Sequence, residues 1–418
     1  MGYNAAMLSA LPVALRLSLY WFCAMGALGV YFPYFSLYLK ENVGLSGGEV
    51  GVIVAIPPLV GIVMQPTWGQ LADRTGDRTR VLALLCAGAG LGYLALMLPD
   101  DFASMALSAG FLALFVSSIN PMGVSTSMAA LDGRGAVAFG RVRVWGTIGY
   151  LCTVVAAPPL LSALERARGL TPTEAVSEPA LGLAFVLATA LIWLAALCAL
   201  SLPRTGALSA RASREEFRAL LRQRAYLKLL LFNFGGFLVL HGPMILFPIY
   251  VRSRGGDMGD LSRLWIWMLL LEIPMVAYSG PLFERLGART MICAALFAGG
   301  VRWVVCASTA ELAHAYPVQV LHAITIGGLL IGGALYVERL VPIQLRSTAQ
   351  AGLTMTSALG GILSSSLGGV LLDAAGVDAL YYAGGVGAVS WGALAALSLP
   401  RPSAERADYA SSASQPRP

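Results

Sequence analysis

Charge is what this sequence has least of. Asp, Glu, Lys and Arg make up 12% of the 418 residues against 57% hydrophobic ones, too few to coat a water-soluble fold of this length. Lipid must solvate most of the chain. Cysteine offers no alternative framework: all six (Cys23, Cys86, Cys152, Cys198, Cys293 and Cys306) stand singly inside apolar runs, which excludes a zinc site or redox pair of close spacing. No Gly-x-x-x-x-Gly-Lys-Ser/Thr loop is there to cradle the phosphates of ATP. A nucleophile-and-base constellation is missing too, so the chain is not expected to be an enzyme, and no metal or cofactor is called for. A net charge of +6 would suit a polyanion in a soluble protein, but here loop arginines account for it, and nucleic acid is set aside.

Apolar runs are there instead. A spanning helix needs about 20 of them, because the hydrocarbon layer is roughly 30 Å thick and a helix rises about 1.5 Å per residue. Runs broken by charged or Gly/Pro turns predict twelve helices, over 16–39, 47–71, 81–98, 103–131, 142–163, 179–201, 226–251, 261–282, 290–308, 313–336, 348–371 and 379–399. Arg16 followed by an apolar run to Tyr38 is too long for a signal-peptide core and reads as an uncleaved first span.

Basic residues set the orientation. With the N-terminus inside, the cytoplasmic loops hold 17 of them, including Arg74, Arg78, Arg80, Arg134, Arg285, Arg289, Arg339 and Arg346; the opposite loops hold 6. Both termini are therefore expected in the cytoplasm, with the chain in the inner membrane. Residues 202–225 are the one long charge-rich interruption, read either as an amphipathic linker (Glu215 to Arg224) along the membrane surface or as a disordered one. This divides the chain into bundles at 1–201 and 226–400, followed by a polar tail at 401–418 expected to be disordered.

The two halves repeat one another. Gly69-Gln-Leu-Ala-Asp73-Arg74-Thr-Gly76-Asp-Arg78-Thr-Arg80 follows the second span, and Gly280-Pro-Leu-Phe-Glu284-Arg285-Leu-Gly287-Ala-Arg289 follows the eighth, at a constant offset of 211. This pattern resembles the signature loop of the major facilitator superfamily. The resemblance implies an all-α membrane protein: twelve transmembrane helices in two pseudo-symmetric six-helix bundles that alternately expose a midplane site. It also implies that Asp73 pairs across to the other lobe, and that Gly69, Asp73, Arg74 and Arg78, with Gly280, Glu284, Arg285 and Arg289, serve gating. For Arg78 and Arg80, topological positive charge is the other reading.

Three stretches narrow the branch: Gly29-Val-Tyr31-Phe32-Pro33-Tyr34-Phe35, Gln65-Pro66, and Phe139-Gly140-Arg141-Val-Arg143-Val-Trp145-Gly146 continuing to Gly149-Tyr150. With Leu321-His322 they resemble the lactose, nucleoside and phenylpropionate permeases. That resemblance implies that Arg143 hydrogen-bonds the solute and that Tyr150 offers a ring to stack on. The chemistry is sound on its own terms, since a guanidinium fork holds two hydroxyls or a carboxylate and an aromatic face suits a sugar or a base. Interfacial anchoring of the fifth helix is the competing reading for Arg143. Tyr34, Asn120, Gln319 and Thr325 are neutral candidates for the same site, or interhelical contacts.

Among 28 basic and 22 acidic side chains, only Glu272 and Arg302 fall deep within predicted spans. Facing lipid, such a group costs about 2.5–3.5 kcal/mol, so both should turn inward. With His322 they form a candidate proton-coupling set. Thr325 stands where the lactose permease has an essential acid, Gln319 where it has a lysine, and the Ser125–Ser127 region where it has a sugar-binding acid, which weighs against lactose-like specificity. The expected function is proton-coupled uptake of a small polar solute (sugar, nucleoside or small aromatic acid), acting as a monomer. Proton-coupled efflux of amphipathic compounds is the nearest alternative, and a membrane receptor or enzyme without transport is another.

Overall fold

The computed structural model describes residues 11–131, 135–173, 176–204, 220–341 and 345–400, and among them regular structure is helical throughout. The first half supplies α1 (Val13–Tyr31), α2 (Gly47–Thr75), α3 (Arg78–Ala95), α4 (Phe102–Ala130), α5 (Gly135–Arg168) and α6 (Ala184–Leu200). The second supplies α7 (Arg224–Ile245), α8 (Met258–Leu286), α9 (Ala288–Ser308), α10 (Leu321–Leu340), and a long run, Arg346–Ser398. That run leaves helical geometry at Gly376 (φ 83°, ψ 176°), giving α11 (346–375) and α12 (377–398). Nine helices among the described residues are long and apolar enough to cross a membrane, with the Arg346–Ser398 run counted once. Helices α3 and α8 stand at the other two predicted positions without being among those nine. Most of the 202–225 linker, Arg134 and the tail beyond Pro400 lie outside the described residues.

Where the helices depart from the predicted runs, proline and glycine are the cause. The first run stops at Tyr31 rather than continuing to residue 39, because Pro33 brings no N–H; a short turn, Phe35–Leu37, then widens into a π turn, Tyr38–Asn42. The tenth run is broken similarly. Ala315–Val318 is a separate short turn before Leu321, with Pro317 in its first turn, and the glycine-rich Gly327–Gly332 forms a second π turn inside α10.

Contacts divide the chain into two units, Met1–Ser209 with Gly256–Ile266, and Ala210–Gly255 with Trp267–Pro418. The N-terminal end of α8 thus clusters with the first unit, whereas the sequence reading puts all of that helix in the second bundle. Within the first unit α1 lies against α5 and α6, and α4 against α2 and α3; within the second α7 lies against the Arg346–Ser398 run. Small residues let these backbones meet, as lipid-solvated bundles require. A Cβ at Gly149 in α5 would fall in hard contact with the Phe22 carbonyl of α1, and one at Gly360 in α11 would fall on the Phe234 carbonyl of α7.

The halves also share a device at their helix ends. In the first, Arg16 at the start of α1 donates to the Ser201 carbonyl just past α6. In the second, Lys228 at the start of α7 donates to the Ser398 carbonyl ending α12, at 3.1 Å. A base placed there satisfies a terminal carbonyl and complements the negative end of the helix dipole.

Replacing Gly149 by Ala should force α1 and α5 apart and cost about 1–3 kcal/mol, the usual price of overpacking. Thermal unfolding in detergent measures it; an unchanged melting temperature would contradict the close approach.

Candidate functional site

A file of polar side chains crosses the interior of the second unit. Arg302 of α9 is 1% exposed. Its Nε donates to Oε1 of Gln319 at 2.8 Å, and its Nη1 lies 3.1 Å from Nδ1 of His322. A guanidinium has donors only, so Nδ1 must be the acceptor and the ring proton sits on Nε2. That nitrogen faces Glu272 of α8, whose Oε2 lies 3.8 Å away. The distance is too long for a hydrogen bond, yet a small side-chain rotation closes it. Three of the charged or titratable groups singled out from sequence are thus together, and the Glu272 side chain is 27% exposed.

Gln319 was expected as a solute ligand. The structure commits it to Arg302: its amide also donates to the Ala315 carbonyl at 2.9 Å, and no part of it is exposed. The rest of the guanidinium's surroundings was not legible from sequence. The Trp303 ring lies 3.9 Å below it, and the thioethers of Met244 and Met268 lie against its Nη atoms. A cavity of about 90 Å³ opens beside this group, with His241, His322 and Thr325 among its lining residues.

The candidates of the first unit are more dispersed. Arg143 of α5 lies over the Trp21 ring of α1, 4.4 Å from its centroid, with Met25 Sδ at 3.7 Å. Trp21 in turn donates to Ser127 at 3.0 Å. Tyr150, two turns further along α5, has its ring 6.5 Å from that of Trp265. Tyr34 is buried and donates to the Val154 carbonyl at 3.3 Å; Ser262 donates to the same oxygen at 2.7 Å. That carbonyl is available because Pro158, four residues on, has no N–H to offer it. Asn120 is exposed on α4, and the structure does not bring it to the others.

The repeated loops share a positive-φ glycine but not side-chain pairing. Gly76 and Gly287, equivalent under the offset of 211, both turn the chain with positive φ, 65° and 76°. In the first loop Arg78 closes on Asp73 at 2.7 Å and donates to Ser125 at 2.8 Å. Asp73, expected to reach the other lobe, is held here by its own loop. Together with Gly69 and the buried Ser118, this pair lines a cavity of about 170 Å³. In the second loop Arg289 instead donates to the Ala396 carbonyl of α12. Glu284 and Arg285, like Arg74, are exposed, and Gly280 lies within α8.

Asp77 went unremarked in the sequence, although an Asp just before an apolar run is a helix-start signal. It caps α3, accepting from the Arg80 N–H at 3.1 Å and from Thr79 Oγ1 at 2.7 Å, with Arg80 and Arg204 beside its other oxygen. Burial pushes this carboxyl up, but those hydrogen bonds and the two guanidiniums outweigh it and hold it below its ordinary range.

A bundle of apolar helices in two units, with a duplicated basic loop and a charged file inside the second unit, defines a secondary transporter of small solutes. Residues 14–383 match the MFS_1 like family, and the chain belongs to it, a transporter of the major facilitator superfamily. It is 27% identical to the maltose permease of Geobacillus stearothermophilus, over 80% of this chain and 81% of that one. It is 24% identical to the probable 3-phenylpropionic acid transporter of Escherichia coli (strain K12), over 73% and 77%. In three dimensions it resembles the nucleoside transporter NupG, with a TM-score of 0.75 at 16% identity, over 93% of this chain and 97% of that one.

Asp77→Ala should cost about 1 kcal/mol through the lost cap. Since the folded carboxyl titrates below the unfolded one, its contribution is whole above the ordinary carboxylate range and fades as pH falls through the folded value. Melting curves of the two proteins should therefore lie apart at neutral pH and converge below about pH 4; a constant gap would refute the ionic part.

Proposed function

We propose that the chain is a proton-coupled permease of the inner membrane, both termini cytoplasmic, which takes up a small polar solute by alternating access. The observation that supports this best is the file Gln319, Arg302, His322, Glu272. A carboxylate is costly in a membrane interior, and proteins keep one there where it binds an ion or proton or completes a pair. Among the described residues Glu272 has no guanidinium or ammonium in contact: its nearest base is the neutral ring of His322, 3.8 Å away, and Arg302 lies beyond that ring. Its protonation therefore changes the balance of the whole file without breaking a salt bridge first.

In this reading Glu272 carries the proton, Arg302 and His322 set the field it feels, and Arg143 and Tyr150 face the solute. Arg143 is already seated on an aromatic ring, which leaves its outer donors to a hydroxyl or carboxylate. The paired loops act as gates. Asp73 and Arg78 close the first, and the more open Glu284, Arg285 and Arg289 belong to the second. The names of the relatives cover a sugar, an aromatic acid and a nucleoside, the three solute classes this site chemistry suits.

Glu272→Gln keeps the shape of the side chain and removes its titration. In proteoliposomes carrying a pH-sensitive dye, addition of solute to wild-type protein should draw protons inward. The variant should retain solute exchange at equal concentrations on both sides while losing at least tenfold of that proton movement; undiminished proton entry would remove Glu272 from the mechanism.

A further inference from the structure

Arg302 has an unusual inventory of partners for a buried cation. Of its donors, Nε is matched by Gln319 and one Nη1 hydrogen by His322. The remaining Nη contacts are to sulfur: Met268 Sδ at 2.9 Å from Nη2, and Met244 Sδ at 3.6 Å from Nη2 and 3.7 Å from Nη1. Thioethers are weak acceptors without charge. Among the described residues no carboxylate is in ion-pair contact with this guanidinium, and Glu272 reaches it only through His322. The Nη1/Nη2 edge is the side of a guanidinium that grips a planar oxyanion through two parallel bonds. Here that edge is buried and capped by soft side chains.

Met244 bridges the two Nη atoms and also lines the 90 Å³ cavity. The other walls are mostly apolar: Phe237, Leu240, Trp303 and Leu329. A methionine has three rotatable bonds and repacks at little cost, so its displacement joins the cavity to the guanidinium. The combined space has one cationic pole and hydrocarbon or aromatic sides. Beside the guanidinium the polar lining residues are His241, His322 and Thr325, a sparse set for the many hydroxyls of a neutral polyol, and an inorganic oxyanion would leave the apolar walls unmatched.

Resting on the transport reading above, we infer that the solute is a monocarboxylate with an apolar or aromatic body, its carboxylate replacing the Met244 thioether on the Nη edge of Arg302. The guanidinium is then a substrate anchor as well as part of the field around Glu272. One proton carried with one such anion moves no net charge.

The test uses full-length protein in detergent at neutral pH, with melting temperature followed against benzoate, benzamide, maltose and inorganic phosphate. Benzoate should raise the melting temperature in a saturable way, while benzamide, its uncharged counterpart in shape, should do so at least tenfold more weakly. Gln319→Glu supplies a fixed counter-charge at Nε at the expense of the amide's bond to the Ala315 carbonyl, and the folded variant should bind benzoate at least tenfold more weakly. Arg302→Lys keeps the charge but loses the fork, and should weaken benzoate by a similar factor. Equal responses to benzoate and benzamide, no response to benzoate, or an undiminished benzoate shift in Gln319→Glu each overturn the inference. A response to phosphate alone overturns it by removing the need for an apolar body. A response to maltose without benzoate overturns it too, and leaves proton-coupled transport standing.

Discussion

A guanidinium inside a membrane bundle has nowhere cheap to go. It cannot lose its proton, it is several kcal/mol out of place in hydrocarbon, and each of its donors wants an acceptor. Arg302 is that group here, and much of the second unit is arranged around it. Helix α9 carries it inward, the segment before α10 brings Gln319, the first turn of α10 brings His322, and Trp303 and two methionines fill the remaining faces. His322 has its tautomer chosen by this contact, and the tautomer points a proton at Glu272. The acid, the imidazole and the guanidinium are thus one electrostatic object, and none has a role that can be assigned without the other two.

The two halves show how much a duplicated sequence can diverge while some of its backbone devices persist. Gly76 and Gly287 both hold a positive φ, which glycine takes without strain, although their ψ values differ (12° and 154°), and a basic residue in the first helix of each half donates to a carbonyl at the end of the sixth. Side chains at equivalent positions have gone separate ways. Arg78 folds back on Asp73, whereas Arg289 reaches forward to α12. Backbone geometry is set by steric necessity; ion pairs at the aqueous edge are held by little energy and drift easily.

Hydropathy made the helical membrane bundle legible, and the offset of 211 made the repeat legible, because both signals extend over many residues. Glu272, Arg302 and His322 were also readable as a set, since charge in an apolar run stands out. The site's detail was not. Gln319 lies between Pro317 and Leu321 in a broken stretch whose helical phase cannot be projected, so its engagement with Arg302 only emerges in three dimensions. Trp21 under Arg143 is one aromatic among many in apolar runs, and nothing in its neighbours marks it as a platform. Asp73 is the opposite case: the motif is plain, yet its partner depends on where one arginine side chain turns.

One consequence follows from the tautomer of His322. An imidazole hands a proton onward by accepting at one nitrogen while releasing at the other, and here the accepting lone pair on Nδ1 is already occupied by a cation that cannot give its hydrogen up. The ring is a blocked wire. Under the proposed coupling, a hydrogen ion reaches Glu272 by the exposed part of its carboxylate, so the direction of access to that acid, rather than a relay through histidine, decides which compartment it communicates with.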